Sequence, residues 1–331
     1  MKNVKASLMA PLFVLILYLL FTASDFLRPY LIEAGGNLYL SVIILQILVF
    51  LLPAIVFCRL KGVGHATKLN VKLFSPGKLG AVIMGSLVLI AASILIRFIE
   101  IYLFGVSDFH FALFDVYVSG EGTVDFLYTV AAFAIMPALT EEFVFRAILL
   151  TEYNNEGYGA VMAALLTSLL SSMMYFSLEK LPIRFVAALI FCVVTYATGS
   201  SLAAFFVHLI FNIYGLFGEK YILQALSDPS NRVISIFVFA LLFFVLLAIF
   251  LGEVEHIYRR LGQSGTETPA YRLKKTEDGK TPDLAATEAD EARPEKNGKL
   301  SQRTRRAIDA FFSPTFLLCI LYFAIAVFGF I

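Results

Sequence analysis

Long apolar runs separated by short polar stretches dominate the chain, and they predict helices rather than strands. The runs lie near residues 7–27, 38–58, 79–104, 125–150, 159–178, 183–198, 201–218, 232–251 and 311–331. Most approach the ~20 apolar residues that a bilayer-crossing helix needs. A lipid-exposed backbone must satisfy its own hydrogen bonds, and a helix does so within one segment. No strong period-2 alternation signals a barrel. The run at 183–198 is short for a full crossing, so a tilted segment or one paired with its neighbour is expected there. The pattern predicts an all-α fold, a polytopic transmembrane helical bundle of about eight core helices plus one C-terminal helix.

The same pattern divides the chain into N-terminal transmembrane helices at 1–79, a membrane core at 80–252, a cytoplasmic charged linker at 253–310 and a C-terminal transmembrane helix at 311–331. Residues 263–300 are rich in Gly, Pro, Thr, Glu and Lys and poor in large apolar side chains. Such a stretch buries too little surface to fold alone, so a disordered tether is expected, with a regulatory or docking segment as the other reading. Lys2 and Lys5 precede the first run, as in a signal peptide. Thr22-Ala23-Ser24 is a weak cleavage site and further spans follow, so a retained first span is expected. No transporter-like repeat stands out, with Gly or Pro interruptions at matching positions of two halves.

Composition strengthens the membrane reading. The chain is 59% hydrophobic and 15% charged, against about 45–50% and about 25% in ordinary soluble domains. A net charge of +1 argues against a nucleic-acid partner. The basic residues report topology instead. Arg59, Lys61, Lys68, Lys72 and Lys78 crowd the loop 59–78, whereas 105–124 holds Asp108, Asp115 and Glu121 and no Lys or Arg. The positive-inside rule then places 59–78, the N-terminus and the 253–310 linker in the cytoplasm of a multi-pass cell-membrane protein. Cys58, Cys192 and Cys319 lie in or beside apolar runs and are far apart in sequence, so they read as small buried hydrophobes.

Against that background, Glu141-Glu142-Phe143-Val144-Phe145-Arg146 is the most informative stretch. A charge at bilayer depth costs about 2.5–3.5 kcal/mol or more, so ionisable residues there mark function by default. On a helix Glu142 and Arg146 are i,i+4 and pair, while Glu141 points about 100° away. A capping salt bridge needs only one such pair and leaves Glu141 unexplained. Pro137 disrupts the helix hydrogen bonds just before it. His208 and Asn212 form a second i,i+4 pair after Gly199-Ser200-Ser201. An imidazole and an amide on one face suit a metal or a positioned water, or an interhelical hydrogen-bond pair.

Glu-Glu-x-x-x-Arg followed by a Gly-Ser helix carrying His-x-x-x-Asn resembles the CPBP family. Its members are the CAAX prenyl endopeptidases and bacteriocin-processing intramembrane proteases, also called the ABI family. The resemblance covers about 80–252. It implies an eight-helix core around a water-filled cavity and an intramembrane metalloendopeptidase. Glu141 would activate the hydrolytic water, with Glu142 and Arg146 in support. His208 and Asn212 would bind a metal, Zn2+, or polarise the scissile carbonyl. The implied partners are the lipid bilayer and a peptide or membrane-protein substrate, such as a pheromone, a bacteriocin leader or a membrane segment.

One departure stands out. The family's Phe-x-x-x-His motif is matched by Ser172-Met173-Met174-Tyr175-Phe176-Ser177-Leu178-Glu179, with Tyr175 for the Phe and Glu179 for the His. Three readings stay open. Glu179 is a replacement metal ligand, since glutamate binds zinc; or the site is disabled in a scaffold, immunity or regulatory protein; or Glu179 forms a surface pair with Lys180. A transporter using the same charges as an ion or proton site is a further alternative.

Overall fold

The computed structural model describes residues 6–33, 38–62, 69–104, 123–219, 221–222, 232–263 and 308–329. Nine helices lie among the described residues, with no strand, as the apolar pattern predicts. They are α1 (Ala6–Glu33), α2 (Leu38–Lys61), α3 (Leu79–Phe104), α4 (from Thr123 to Asn155), α5 (Ala160–Ser172), α6 (Leu181–Thr198), α7 (Ser201–Ile213), α8 (Arg232–Gln263) and α9 (Pro314–Val327). Among the described residues, six helical segments are long and apolar enough to cross a membrane: Ser7–Ser24, Leu38–Lys61, Pro76–Glu100, Leu181–Thr198, Ser201–Gly218 and Val233–Arg260. The molecule is a multi-pass membrane helical bundle.

Helix α6 occupies the centre, packed against α3, α5 and α7, while α8 lies on α3 and α9 on α1. Between α3, α6, α7 and α8 the core is built from Val82, Leu89, Ile190, Val194, Val207 and Phe250. A larger cluster joins α1, α2, α4, α5 and α9. The segment Val233–Arg260 is only 6% buried over its most apolar window, which fits a peripheral helix facing lipid acyl chains.

Three helices are not regular. In α2 a π-helical turn at Ile47–Leu51 comes just before Pro53, and in α4 another at Val130–Ile135 comes just before Pro137. Proline brings no N–H to the carbonyl four residues back, so the backbone widens there. A third π-helical turn, Phe143–Leu149, follows Glu142 and carries Arg146, and a fourth, Tyr214–Gly218, continues α7.

The charge-rich side expected from the loop 59–78 is one end of the bundle. Lys61 Nζ lies 2.6 Å from Glu152 Oε2. Lys78 Nζ donates to the Thr198 carbonyl at 2.8 Å, placing a cation at the C-terminus of α6. Ser201 donates through its backbone N–H (2.9 Å) and its hydroxyl (3.1 Å) to the Asn70 carbonyl. Ser200 donates its hydroxyl to the Lys72 carbonyl and accepts from Leu202 N at 3.2 Å as the cap of α7.

The boundaries differ from the apolar pattern in three places. The run 159–178 becomes a helix of 13 residues, about 20 Å at 1.5 Å per residue and short of the ~30 Å hydrocarbon core. It continues only as a 3-10 turn, Met173–Tyr175, which therefore ends inside the bundle. Helix α8 runs on to Gln263, past the expected end of the core at 252, and the rest of the expected linker, 264–307, lies outside the described residues. The last helix is Pro314–Val327, shorter than the run 311–331.

Candidate active site

Glu141 and Glu142 sit near the middle of α4, five residues or fewer after Pro137, and both are buried, at 5% and 1% exposure. Burial to that degree forces each carboxylate to find a partner. Glu142 Oε1 accepts from Arg146 Nη1 at 3.1 Å, the i,i+4 pair expected from the spacing. The same oxygen lies 2.9 Å from His208 Nδ1. Arg146 also donates from Nη2 to the Ala188 carbonyl at 3.1 Å, which ties α4 to α6. Its guanidinium lies 5.0 Å from the centre of the Phe191 ring, and that ring stacks on His208 with centroids 4.8 Å apart. Phe191 thus packs against both Arg146 and His208, and its stacking on His208 restrains the plane of the imidazole.

An ionised carboxylate only accepts hydrogen bonds. The contact with Glu142 therefore places a proton on His208 Nδ1, and Nε2 is the ring atom left to face other groups. Glu141 takes a separate partner, because Tyr175 donates its phenol O–H to Glu141 Oε1. The guanidinium of Arg184 lies over the Tyr175 ring, 3.9 Å from its centroid.

These groups surround one cavity of about 20 Å³. Glu141, Arg146, Ser171, Tyr175, Arg184 and His208 supply its polar lining, and Phe191 and Phe211 part of the apolar wall. Such a volume holds a water molecule where polar partners exist.

The structure brings Glu141, Glu142, Arg146 and His208 together from α4 and α7. It does not bring the other two expected residues to the cavity. Asn212 shares the face of His208, but its Nδ2 donates to the Ala134 carbonyl at 3.3 Å, and it does not line the cavity. Glu179 is exposed on the turn between the 3-10 segment and α6, four residues past Tyr175. No group of three or more His, Cys, Asp or Glu is placed to hold a metal among the described residues. Zinc takes three or four protein ligands, and one of the two carboxylates here is committed to Arg146. The described residues therefore do not fit a zinc site.

Sequence reasoning missed Tyr175, Ser171 and Arg184 as site residues. The signal for the first two was present one turn earlier than the matched motif: Ser171 and Tyr175 have the same i,i+4 spacing as Tyr175 and Glu179.

Residues 123–214 match a family model described as type II CAAX prenyl endopeptidase Rce1-like. The match begins with α4 and ends just after α7, so it contains Glu141, Glu142, Arg146, Tyr175, His208 and Asn212 and leaves out α1 to α3, α8 and α9. No curated protein and no solved structure matches the chain. The match agrees with the resemblance drawn from the Glu-Glu-x-x-x-Arg and His-x-x-x-Asn motifs, and the segment 123–214 is similar to Rce1-like proteins of the CPBP family.

Proposed function

We propose that this chain, through its Rce1-like segment, is an intramembrane endopeptidase in which Glu141 is the general base. One observation carries the reading. Glu141 and His208, far apart in sequence, line the same buried cavity, and Glu142 holds His208 by Nδ1.

In the proposed reaction Glu141 takes a proton from water as the water oxygen attacks the scissile carbonyl carbon. Negative charge collects on the carbonyl oxygen, where His208 in its protonated form donates from Nε2. Preorganised donors at that oxygen are commonly the largest single contribution to such catalysis. The carbon–nitrogen bond then breaks, and the proton held by Glu141 passes to the leaving amine. Arg146 neutralises Glu142 and keeps it from accepting a proton in place of Glu141. The substrate is a peptide or a membrane-protein segment that reaches the site from the bilayer.

The test uses the full chain in proteoliposomes, with a panel of apolar peptides in C-terminally prenylated and unmodified forms and mass spectrometry as the readout. Cleavage by the wild type and its loss in Glu141→Gln are expected. Absence of cleavage, or its persistence in Glu141→Gln, overturns the reading.

A second reading has its own observation: the side chain facing Glu141 is a phenol and not a second histidine. In a non-proteolytic family member, acting as a scaffold, immunity or regulatory protein, the Glu142–Arg146–His208 group is structural. In that case no peptide of the panel is cleaved, while Glu142→Gln still lowers the unfolding temperature.

A further inference from the structure

The hydrogen bond from Tyr175 to Glu141 has no part in the reaction as drawn. We propose that Tyr175 is a positioning residue for Glu141, aimed by the left-handed backbone of Phe176 and by a clasp of aromatic rings that includes the C-terminal helix. The proposal deepens the proteolytic reading and rests on Glu141 being its base.

Three features support it. First, Tyr175 has a single O–H donor, and it is given to Glu141 Oε1. A carboxylate held through one oxygen presents the other in a fixed direction, and fixed direction is what a base needs when its water sits in a cavity of about 20 Å³.

Second, Tyr175 is the last residue of a 3-10 turn that ends at Phe176 with φ +47°, the one positive φ at a non-glycine residue among those described. A bulky side chain avoids that region because its Cβ crowds the carbonyl. Such a conformation persists where the surroundings over-determine it, and it is found at functional sites.

Third, those surroundings are visible. The Phe176 ring meets Tyr18 edge-on at 5.4 Å between centroids, Phe21 at 6.1 Å and Tyr322 at 5.6 Å. Phe21 also meets the Tyr175 ring at 6.0 Å, and Arg184 covers that ring's face. Tyr322 belongs to α9 and donates its hydroxyl to Thr22 Oγ1 of α1 at 2.8 Å. Helix α9 lies outside the Rce1-like match. A helix added to the matched core thus holds the residue next to the one that holds the base.

The experiment compares the full chain in proteoliposomes as wild type, as Tyr175→Phe and with Tyr175 replaced by para-aminophenylalanine. The first change deletes only the donor, and the second restores a donor on the same ring. The infrared carboxylate stretch of Glu141, assigned from the difference between wild type and Glu141→Gln, is read beside peptide cleavage. In Tyr175→Phe the band shifts and kcat falls about 10- to 100-fold with KM unchanged, the loss expected for a hydrogen bond to a charged group. Para-aminophenylalanine returns both. Tyr322→Ala shifts the band in the same direction and lowers kcat less, whereas Tyr322→Phe, which keeps the ring, stays near wild type. An unmoved band or an undiminished kcat in Tyr175→Phe overturns the proposal. If Glu141→Gln abolishes cleavage and Tyr175→Phe leaves kcat undiminished, the positioning role alone fails. If cleavage survives Glu141→Gln, the proteolytic reading fails, and the infrared band still decides whether Tyr175 sets Glu141.

Discussion

Arg146 and His208 reach the same oxygen of Glu142, at 3.1 Å from Nη1 and 2.9 Å from Nδ1. Three polar side chains from α4 and α7 are thus locked by one atom in an apolar interior. The other oxygen of Glu142, Oε2, is buried without a hydrogen-bond partner among the described residues. The carboxylate therefore depends on its charge being balanced at Oε1.

Glu142→Gln keeps the shape of the side chain and removes that charge. Arg146 is left buried beside a neutral amide, and breaking a buried ion pair at one partner typically costs about 3–5 kcal/mol. His208 Nδ1 is left with a neutral amide oxygen as its acceptor in place of a carboxylate, a weaker partner. The expected outcome is a lower unfolding temperature in detergent together with a fall in turnover of about 10- to 100-fold, since hydrogen bonds to charged groups contribute roughly 1.5–3 kcal/mol. Thermal unfolding followed by tryptophan-free near-ultraviolet signals from Tyr, beside the peptide assay, reads both.

His208 and Asn212, paired in the sequence motif, separate in the structure, so their variants should separate too. His208 lines the cavity and Asn212 does not. Removing an oxyanion donor lowers kcat about 10²- to 10³-fold, and that loss is expected for His208→Ala. Asn212→Ala removes the 3.3 Å bond to the Ala134 carbonyl and loosens the packing of α7 on α4. A fall of about tenfold or less is expected, the size of one neutral hydrogen bond of ~1 kcal/mol. Equal losses in the two variants would place Asn212 at the reacting groups after all.

Much of this arrangement was legible in the residues because charge inside hydrocarbon is costly and so stands out. Glu141, Glu142, Arg146 and His208 were visible for that reason, and the i,i+4 spacing paired Glu142 with Arg146 before any coordinates. Tyr175 was read only as the counterpart of the motif's Phe, because a phenol in an apolar run looks like any aromatic core residue. The motif that should have found it was also ambiguous by one turn, since Ser171/Tyr175 and Tyr175/Glu179 share one spacing. Hydropathy alone made 159–178 a full span, and the early end of α5 at Ser172 decides which of those two pairs faces Glu141. The π-helical turns were half legible: Pro53 and Pro137 announced two of them, and nothing in the residues announced Phe143–Leu149 or Tyr214–Gly218.

A second buried charge cluster lies away from the cavity. Arg97 Nε lies 3.0 Å from Glu219 Oε1, and its Nη1 lies 3.3 Å from Glu100 Oε2. All three side chains are buried. Arg97→Leu leaves two carboxylates facing each other without that guanidinium, and a cost of about 3–5 kcal/mol is expected. Adding Glu219→Leu to Arg97→Leu should recover part of it, because a carboxylate is removed along with its cation. Unfolding of the three proteins in mixed micelles checks the order: wild type highest, the double variant between, Arg97→Leu lowest.

Gly85 tests how tightly the site-bearing helix is held. A Cβ built there would lie 3.0 Å from Val194 Cγ2 of α6 and 3.3 Å from Phe250 Cε2 of α8, so α3, α6 and α8 meet where only a glycine fits without adjustment. Small residues at such points let helix backbones approach closely in membranes. Helix α6 also carries Arg184, Ala188 and Phe191 of the cavity wall. Gly85→Leu must therefore push α6 away from α3 and displace the part of the cavity wall that α6 carries. A loss of about 1–3 kcal/mol from overpacking is expected, with a fall in kcat beyond what the fraction unfolded explains. Gly80→Ala is the control. The atoms its Cβ meets, at 2.6 Å, belong to the carboxylate end of Glu253, which can swing aside. That variant should keep both stability and turnover near wild type, and a loss as large as that of Gly85→Leu would show that α3 tolerates no added volume anywhere along this face.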